Sequence, residues 1–149
     1  MTQPIYILNG PNLNLLGLRE PQLYGSTTLA QVEALCRRVT ETLGMPCEFR
    51  QTNHEGVMVD WVQEAREKAA AVVINPAGLS FRSIPLLDAL KTLAQPLAEV
   101  HVTNIHRRDE IYQKSLVSLA ATGVICGFGP FGYELAIRAV VERLAAPST

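Results

Sequence analysis

The chain has 149 residues, 48% of them hydrophobic, enough to bury one substantial core but hardly two. Thirteen Lys and Arg against fourteen Asp and Glu leave a formal net charge of -1, without the basic excess that marks a nucleic-acid partner. Cys36, Cys47 and Cys126 form neither a disulfide framework nor a CxxC pair and read as small buried hydrophobes, and the N-terminus has no basic stretch followed by a long apolar one, which argues against a signal peptide or membrane span.

A single cytoplasmic domain over residues 1–149 is therefore expected, with no nucleic-acid or membrane partner. The first element is an apolar run from Ile5 to Leu8, read as a strand, followed by the long polar loop from Asn9 to Gly25. From Thr27 to Leu43, apolar Leu29, Val32, Leu35, Val39 and Leu43 recur three or four apart, Ser26 or Thr27 can cap the start, and Gly44 follows: a helix. A strand from Cys47 to Gln51, a helix from Val57 to Ala70 and a strand from Ala71 to Asn75 come next. A helix from Ser83 to Leu93, with Pro85 in its first turn, leads to a strand from Leu97 to Val102. A less regular periodicity suggests a helix over Asp109 to Ala121, before a strand from Val124 to Phe128 and a last helix from Gly132 to Leu144.

Alternating strands and helices, with Val- and Ile-rich strands that lack polar alternation, predict a parallel sheet covered on both faces. Five strands are too few for a closed barrel, so a flavodoxin-like doubly wound α/β sandwich with a five-stranded parallel sheet is expected. Ligands of such sheets bind beyond the carboxyl ends of the strands. Polar residues cluster there after strand one (Asn9, Asn12, Asn14, Arg19, Glu20, Tyr24), strand two (Asn53, His54, Glu55), strand three (Asn75, Ser80) and around strand four (Glu99, His101, Thr103, Asn104). Four loops should share one mouth.

The first loop is far longer than the median connection of about 4 to 6 residues, which marks it as a lid or binding loop. Its polar residues are also plausible as turn formers. The chemical reading pairs Arg19 with Tyr24. A phenol with a pKa near ~10 is about 3 units too weak an acid to act as a base at neutral pH, at a cost of roughly 4 kcal/mol. An adjacent guanidinium shifts a pKa by about 1 to 3 units, which would make Tyr24 a tyrosinate base. On the fourth strand, Glu99 and His101 are two apart and share a face. They form either a structural ion pair or an acid in which Glu99 orients the imidazole and raises its pKa. With His106 they lack the usual ligand spacing of zinc.

Two other patterns lead nowhere. Gly127, Gly129 and Gly132 spell GxGxxG, but no second strand and no acidic residue about 20 positions on follow, so they read as turn and helix-packing glycines. Lys68, Lys91 and Lys114 fall on expected helix surfaces, which leaves a Schiff-base mechanism without a nucleophile.

Five segments in order carry a family resemblance: NGPNLNLLGLREPQLYG at 9–25, QTNHEGVMVDWVQEA at 51–65, INPAGLS at 74–80, EVHVTNIHRRDE at 99–110 and TGVICGFGPFGYELAI at 122–137. With these the chain resembles the type II 3-dehydroquinases, the 3-dehydroquinate dehydratases of the shikimate and quinate pathways. The resemblance implies a flavodoxin-like fold, a dodecamer of trimers, a cyclic hydroxy-acid substrate and no metal or organic cofactor. It implies that Tyr24 removes the proton next to the substrate ketone, with Arg19 assisting, and that Asn12 and an ordered water stabilise the enolate. His101, oriented by Glu99, would protonate the departing hydroxyl to leave an enone. Asn75 would bind substrate hydroxyls, the backbone amides of Val102 and Thr103 the carboxylate, and Asp88 would reach a neighbouring subunit's site. Arg108 would be a second lid arginine. As plain structure, Asn75 is a strand-end turn residue, Asp88 a solvated helix position and Arg108 a surface charge.

The chain departs from the family pattern twice, with Phe81 in place of a histidine and Tyr112 in place of an arginine, both of which would contact substrate hydroxyls. A phenyl ring donates no hydrogen bond, so a paralogue with the same acid and base acting on a different cyclic hydroxy-ketone or hydroxy-acid is the alternative. Arg82 or the Tyr112 hydroxyl would be the compensating groups. A non-catalytic binding protein would leave Arg19, Tyr24, Glu99 and His101 together unexplained.

Overall fold

The computed structural model describes residues 2–146. Strands β1 (Ile5–Asn9), β2 (Cys47–Gln51), β3 (Ala71–Asn75), β4 (Leu97–His101) and β5 (Gly123–Cys126) form one parallel sheet in the order β2-β1-β3-β4-β5. The connections carry helices α1 (Pro21–Tyr24), α2 (Leu29–Thr42), α3 (Glu55–Lys68) and α4 (Ile84–Leu90), and α5 (Phe131–Ala145) follows β5. This is the flavodoxin-like doubly wound sandwich.

The apolar strands follow from burial on both faces, since successive side chains enter opposite cores. Ile5, Ile7 and Val73 pack with Val32 and Val39 of α2 and Tyr133 and Ile137 of α5. Tyr6, Leu8 and Ile74 turn the other way, against Met58 and Val62 of α3 and Leu86 and Leu90 of α4. The edge strands β2 and β5 are only partly buried. Of the cysteines, Cys36 is buried as expected, whereas Cys47 and Cys126 are half-buried.

Several element ends differ from expectation. The cap of α2 is Thr28 rather than Ser26 or Thr27: its Oγ1 accepts from the Gln31 N–H at 3.2 Å while its own N–H donates to Gln31 Oε1 at 2.9 Å. The first loop is not wholly irregular, because Leu13–Leu15 forms a 3-10 turn and Pro21 starts the single turn of α1. The helix expected over Asp109 to Ala121 is absent, and two 3-10 turns, Glu110–Tyr112 and Val117–Leu119, stand in its place. Its groups are committed elsewhere: the Leu116 N–H donates to the Ser80 carbonyl at 2.7 Å and Gln113 Nε2 to the Arg108 carbonyl at 2.6 Å. Lys114 therefore lies between turns, not on a helix. β5 stops at Cys126 instead of Phe128, since Gly127 takes a φ of 95°. A Cβ on Gly132 would sit 3.1 Å from Val100 Cγ2, so close packing of α5 on β4 explains that glycine, as read from the sequence.

Candidate active site

The chain leaves β1 toward β2 on one side and returns to β3 on the other, so the switch point lies between the carboxyl ends of β1 and β3. Asn9 and Asn75, which end these strands, are register partners. Fully buried Tyr133 of α5 joins them: its hydroxyl donates to Asn9 Oδ1 at 2.7 Å and accepts from Asn75 Nδ2 at 2.9 Å. Burial pushes this phenol far above its ordinary pKa, so it stays a neutral link. Asn75 Oδ1 accepts from the Ala77 N–H at 3.2 Å, and Ala77 takes a left-handed φ of 50°.

A cavity of about 200 Å³ opens at this point. The first loop contributes Asn12, Arg19 and Tyr24, and the segment after β3 contributes Asn75 and Phe81. From β4 onward come His101, Val102, Thr103, Arg108 and Tyr112. The loop after β2, expected at the same mouth, does not line it. Asn53 instead anchors the first loop, its Oδ1 accepting from the Asn12 N–H at 2.9 Å and from Gln51 Nε2 at 3.0 Å. Asn12 is held there with a left-handed φ of 70°. Glu55 turns away and accepts from Ser83 Oγ at 2.6 Å.

Two chemically distinct pairs serve this cavity, with Arg19, Tyr24 and His101 lining it and Glu99 buried behind His101. Arg19 Nη2 donates to the Tyr24 hydroxyl at 3.4 Å, with the guanidinium carbon 4.9 Å from the ring centroid. Arg108 approaches the same ring at 5.5 Å, so two cations flank the phenol. On β4, His101 Nε2 lies 2.5 Å from Glu99 Oε2, and Ser118 Oγ donates to Glu99 Oε1 at 2.6 Å. Glu99 is wholly buried. Burial pushes its carboxyl up, but hydrogen bonding with His101 and Ser118 and the attraction to His101 outweigh it and hold the pKa below the usual value.

The profile of the family described as Dehydroquinase class II matches residues 3–141. The chain belongs to the class II dehydroquinases. It is 55% identical over 139 residues to a 3-dehydroquinate dehydratase of Phenylobacterium zucineum, covering 93% of this chain and 96% of that one. It is 55% identical over 146 residues to one from Caulobacter vibrioides, covering 98% and 100%. A type II dehydroquinase structure from Propionibacterium acnes is similar with a TM-score of 0.91 at 44% identity, over 95% of this chain and 98% of that chain.

In this class II dehydroquinase, Phe81 and Tyr112 form an aromatic corner. The Phe81 ring lies 6.3 Å from that of His101 with an interplanar angle of 30°, and meets the Tyr112 ring edge-on at 5.5 Å. Arg108 covers the Tyr112 ring at 4.1 Å. Of the other residues named from the sequence, Asp88 is exposed on α4, Arg82 is exposed beside Phe81 and His106 is exposed in the turn Ile105–Arg107, all away from the cavity, and Asn9, Asn14, Glu20, Ser80, Glu99 and Asn104 do not line it either. Among the described residues no group of three or more His, Cys, Asp or Glu is placed to hold a metal. Sequence reasoning gave no role to Ser118, whose partner lies 19 residues away, or to Tyr133, whose partners lie 58 and 124 residues away, and neither leaves a local signal.

Proposed function

We propose that this dehydroquinase is a hydro-lyase that eliminates water from 3-dehydroquinate to give 3-dehydroshikimate, the activity for which its relatives are named. The observation that carries the reading is the convergence of the Arg19–Tyr24 and Glu99–His101 pairs on one cavity. In the proposed course, the Tyr24 phenolate takes the proton from the carbon next to the ketone, and the electron pair moves into an enolate. Arg19 stabilises the negative charge on the phenolate, and Asn12 with an ordered water that on the enolate. Because His101 Nε2 is engaged by Glu99, its Nδ1 is the nitrogen left to protonate the departing hydroxyl. The C–O bond then breaks, water leaves and the enone forms.

Asn75 would hold ring hydroxyls and the amides of Val102 and Thr103 the carboxylate. The same reading places the chain as a single domain over 1–149, although Met1 and residues 147–149 lie outside the described residues. It extends to a cytoplasmic homododecamer in which exposed Asp88 serves a neighbouring site. No helix among the described residues is long and apolar enough to cross a membrane.

A second reading, the same acid and base acting on a different cyclic hydroxy-ketone or hydroxy-acid, is favoured by the aromatic corner at Phe81 and Tyr112. One assay decides the first. Purified protein given 3-dehydroquinate should show a rise in the ultraviolet absorbance of the conjugated enone, lost in Tyr24→Phe. A flat trace with the unmodified chain overturns it.

A further inference from the structure

We propose that Phe81 is a specificity-determining residue that makes the active site select cyclic hydroxy-acids whose ring edge toward it carries C–H rather than O–H. The proposal rests on the dehydratase reading for its reaction but not for its recognition chemistry. The cavity is uneven in polarity. Asn12, Arg19, Asn75 and Arg108 offer donors, whereas the wall beside His101 is the phenyl ring of Phe81.

That ring has little freedom to turn away. It ends the 3-10 turn Ala77–Phe81, and the preceding residue, fully buried Ser80, accepts through its carbonyl the Leu116 N–H at 2.7 Å. Two residues on, the Ser83 N–H donates to the Leu79 carbonyl at 3.0 Å. The His101 ring, 6.3 Å away at 30°, and the Tyr112 ring, 5.5 Å away at 78°, then hold the side chain from two directions. Tyr112 is itself fixed beneath Arg108 at 4.1 Å.

A substrate hydroxyl pressed against this wall gives up its water and gains no partner, whereas a methylene there loses nothing. The discrimination has a characteristic size. An apolar surface rejects an added hydroxyl by only about 10²-fold, whereas a wall built to bond that hydroxyl rejects its absence by about 10⁴-fold or more. Phe81 thus leaves 3-dehydroquinate a usable substrate while admitting rings that a hydrogen-bonding wall would refuse.

The test compares two ketones that both give an ultraviolet-absorbing enone: 3-dehydroquinate and 1-hydroxy-3-oxocyclohexane-1-carboxylate, which lacks the two ring-edge hydroxyls. It also compares two unreactive ring acids by calorimetry, quinate and 1-hydroxycyclohexane-1-carboxylate. Asn75 meets the ring hydroxyls alike in every variant, so the reading is the change, on substitution at Phe81, in the ratio of kcat/KM for the less hydroxylated ketone over that for 3-dehydroquinate. That ratio should fall at least about tenfold in Phe81→His and persist in Phe81→Leu, which keeps the wall apolar while removing the stack on His101. A ratio unchanged in Phe81→His, or one that falls as far in Phe81→Leu, overturns the proposal. If neither ketone is turned over, the dehydratase reading fails by itself, and the calorimetric ratio decides the proposal by the same criterion. Failure of both ring acids to bind overturns it as well.

Discussion

The two halves of the site are built in opposite ways. The base half is a half-buried Tyr24 on a one-turn helix, touched by an exposed Arg19 through a long 3.4 Å contact. The acid half is a buried carboxylate on a central strand, with a partner on each oxygen at 2.5 and 2.6 Å. Glu99 and His101 are fixed before substrate arrives, whereas the Arg19–Tyr24 geometry is of the kind that tightens when a lid loop closes. The enzyme thus keeps its desolvated charge on rigid scaffold and its adjustable group at the surface.

Removing one group from each half gives the largest expected effects and separates the halves. Both Tyr24→Phe and His101→Ala should lower kcat by about 10²- to 10⁴-fold. Only His101→Ala should also lower the Tm, because it strands the Glu99 carboxylate in the interior, at a cost of about 3 to 5 kcal/mol. Tyr24→Phe should stay within about 0.5 kcal/mol. Equal losses of stability in the two variants would show that the halves are not built differently.

Ser118→Ala probes the acid half more gently. Removing the donor to Glu99 Oε1 should cost about 1 to 3 kcal/mol. It should also change the response to acid. Glu99 has a folded-state pKa below its unfolded value, so its contribution is complete above the unfolded pKa and is lost as pH falls through the folded one. Without Ser118 the folded pKa rises, and Tm measured against pH should begin to drop at a higher pH than in the unmodified chain. An unchanged profile would remove Ser118 from the positioning of Glu99. Next in size, Arg19→Lys replaces a planar donor with a point charge and should lower turnover about tenfold, or about 1.4 kcal/mol, with the Tm unmoved.

What the residues revealed follows the same division. Strands buried on both faces announce themselves as continuous apolar runs, and Glu99 and His101 stand out because they interrupt one. Arg19 and Tyr24 share a single loop, so their pairing is legible at short range. The segment from Asp109 to Ala121 misleads because its periodicity is real, while its groups bond Ser80, Arg108 and Glu99 in place of their own helix. Tyr133 illustrates the remaining loss. It reads as an ordinary helical core residue, and its task of joining Asn9 to Asn75 emerges only when α5 folds back over the sheet.

The smallest expected effect concerns where the lid rejoins the fold. Thr28 and Gln31 satisfy each other's backbone N–H groups at the start of α2, and that cap fixes the exit of the loop that carries Tyr24. Thr28→Ala should cost about 1 kcal/mol, read as a shift in the urea midpoint at constant slope. If the lid moves as a unit whose only demand on α2 is a fixed anchor, kcat at saturating substrate should be unchanged. A fall in kcat comparable to that of Arg19→Lys would mean that the cap also sets the Arg19–Tyr24 geometry, and that the base half is less independent of the scaffold than its exposure suggests.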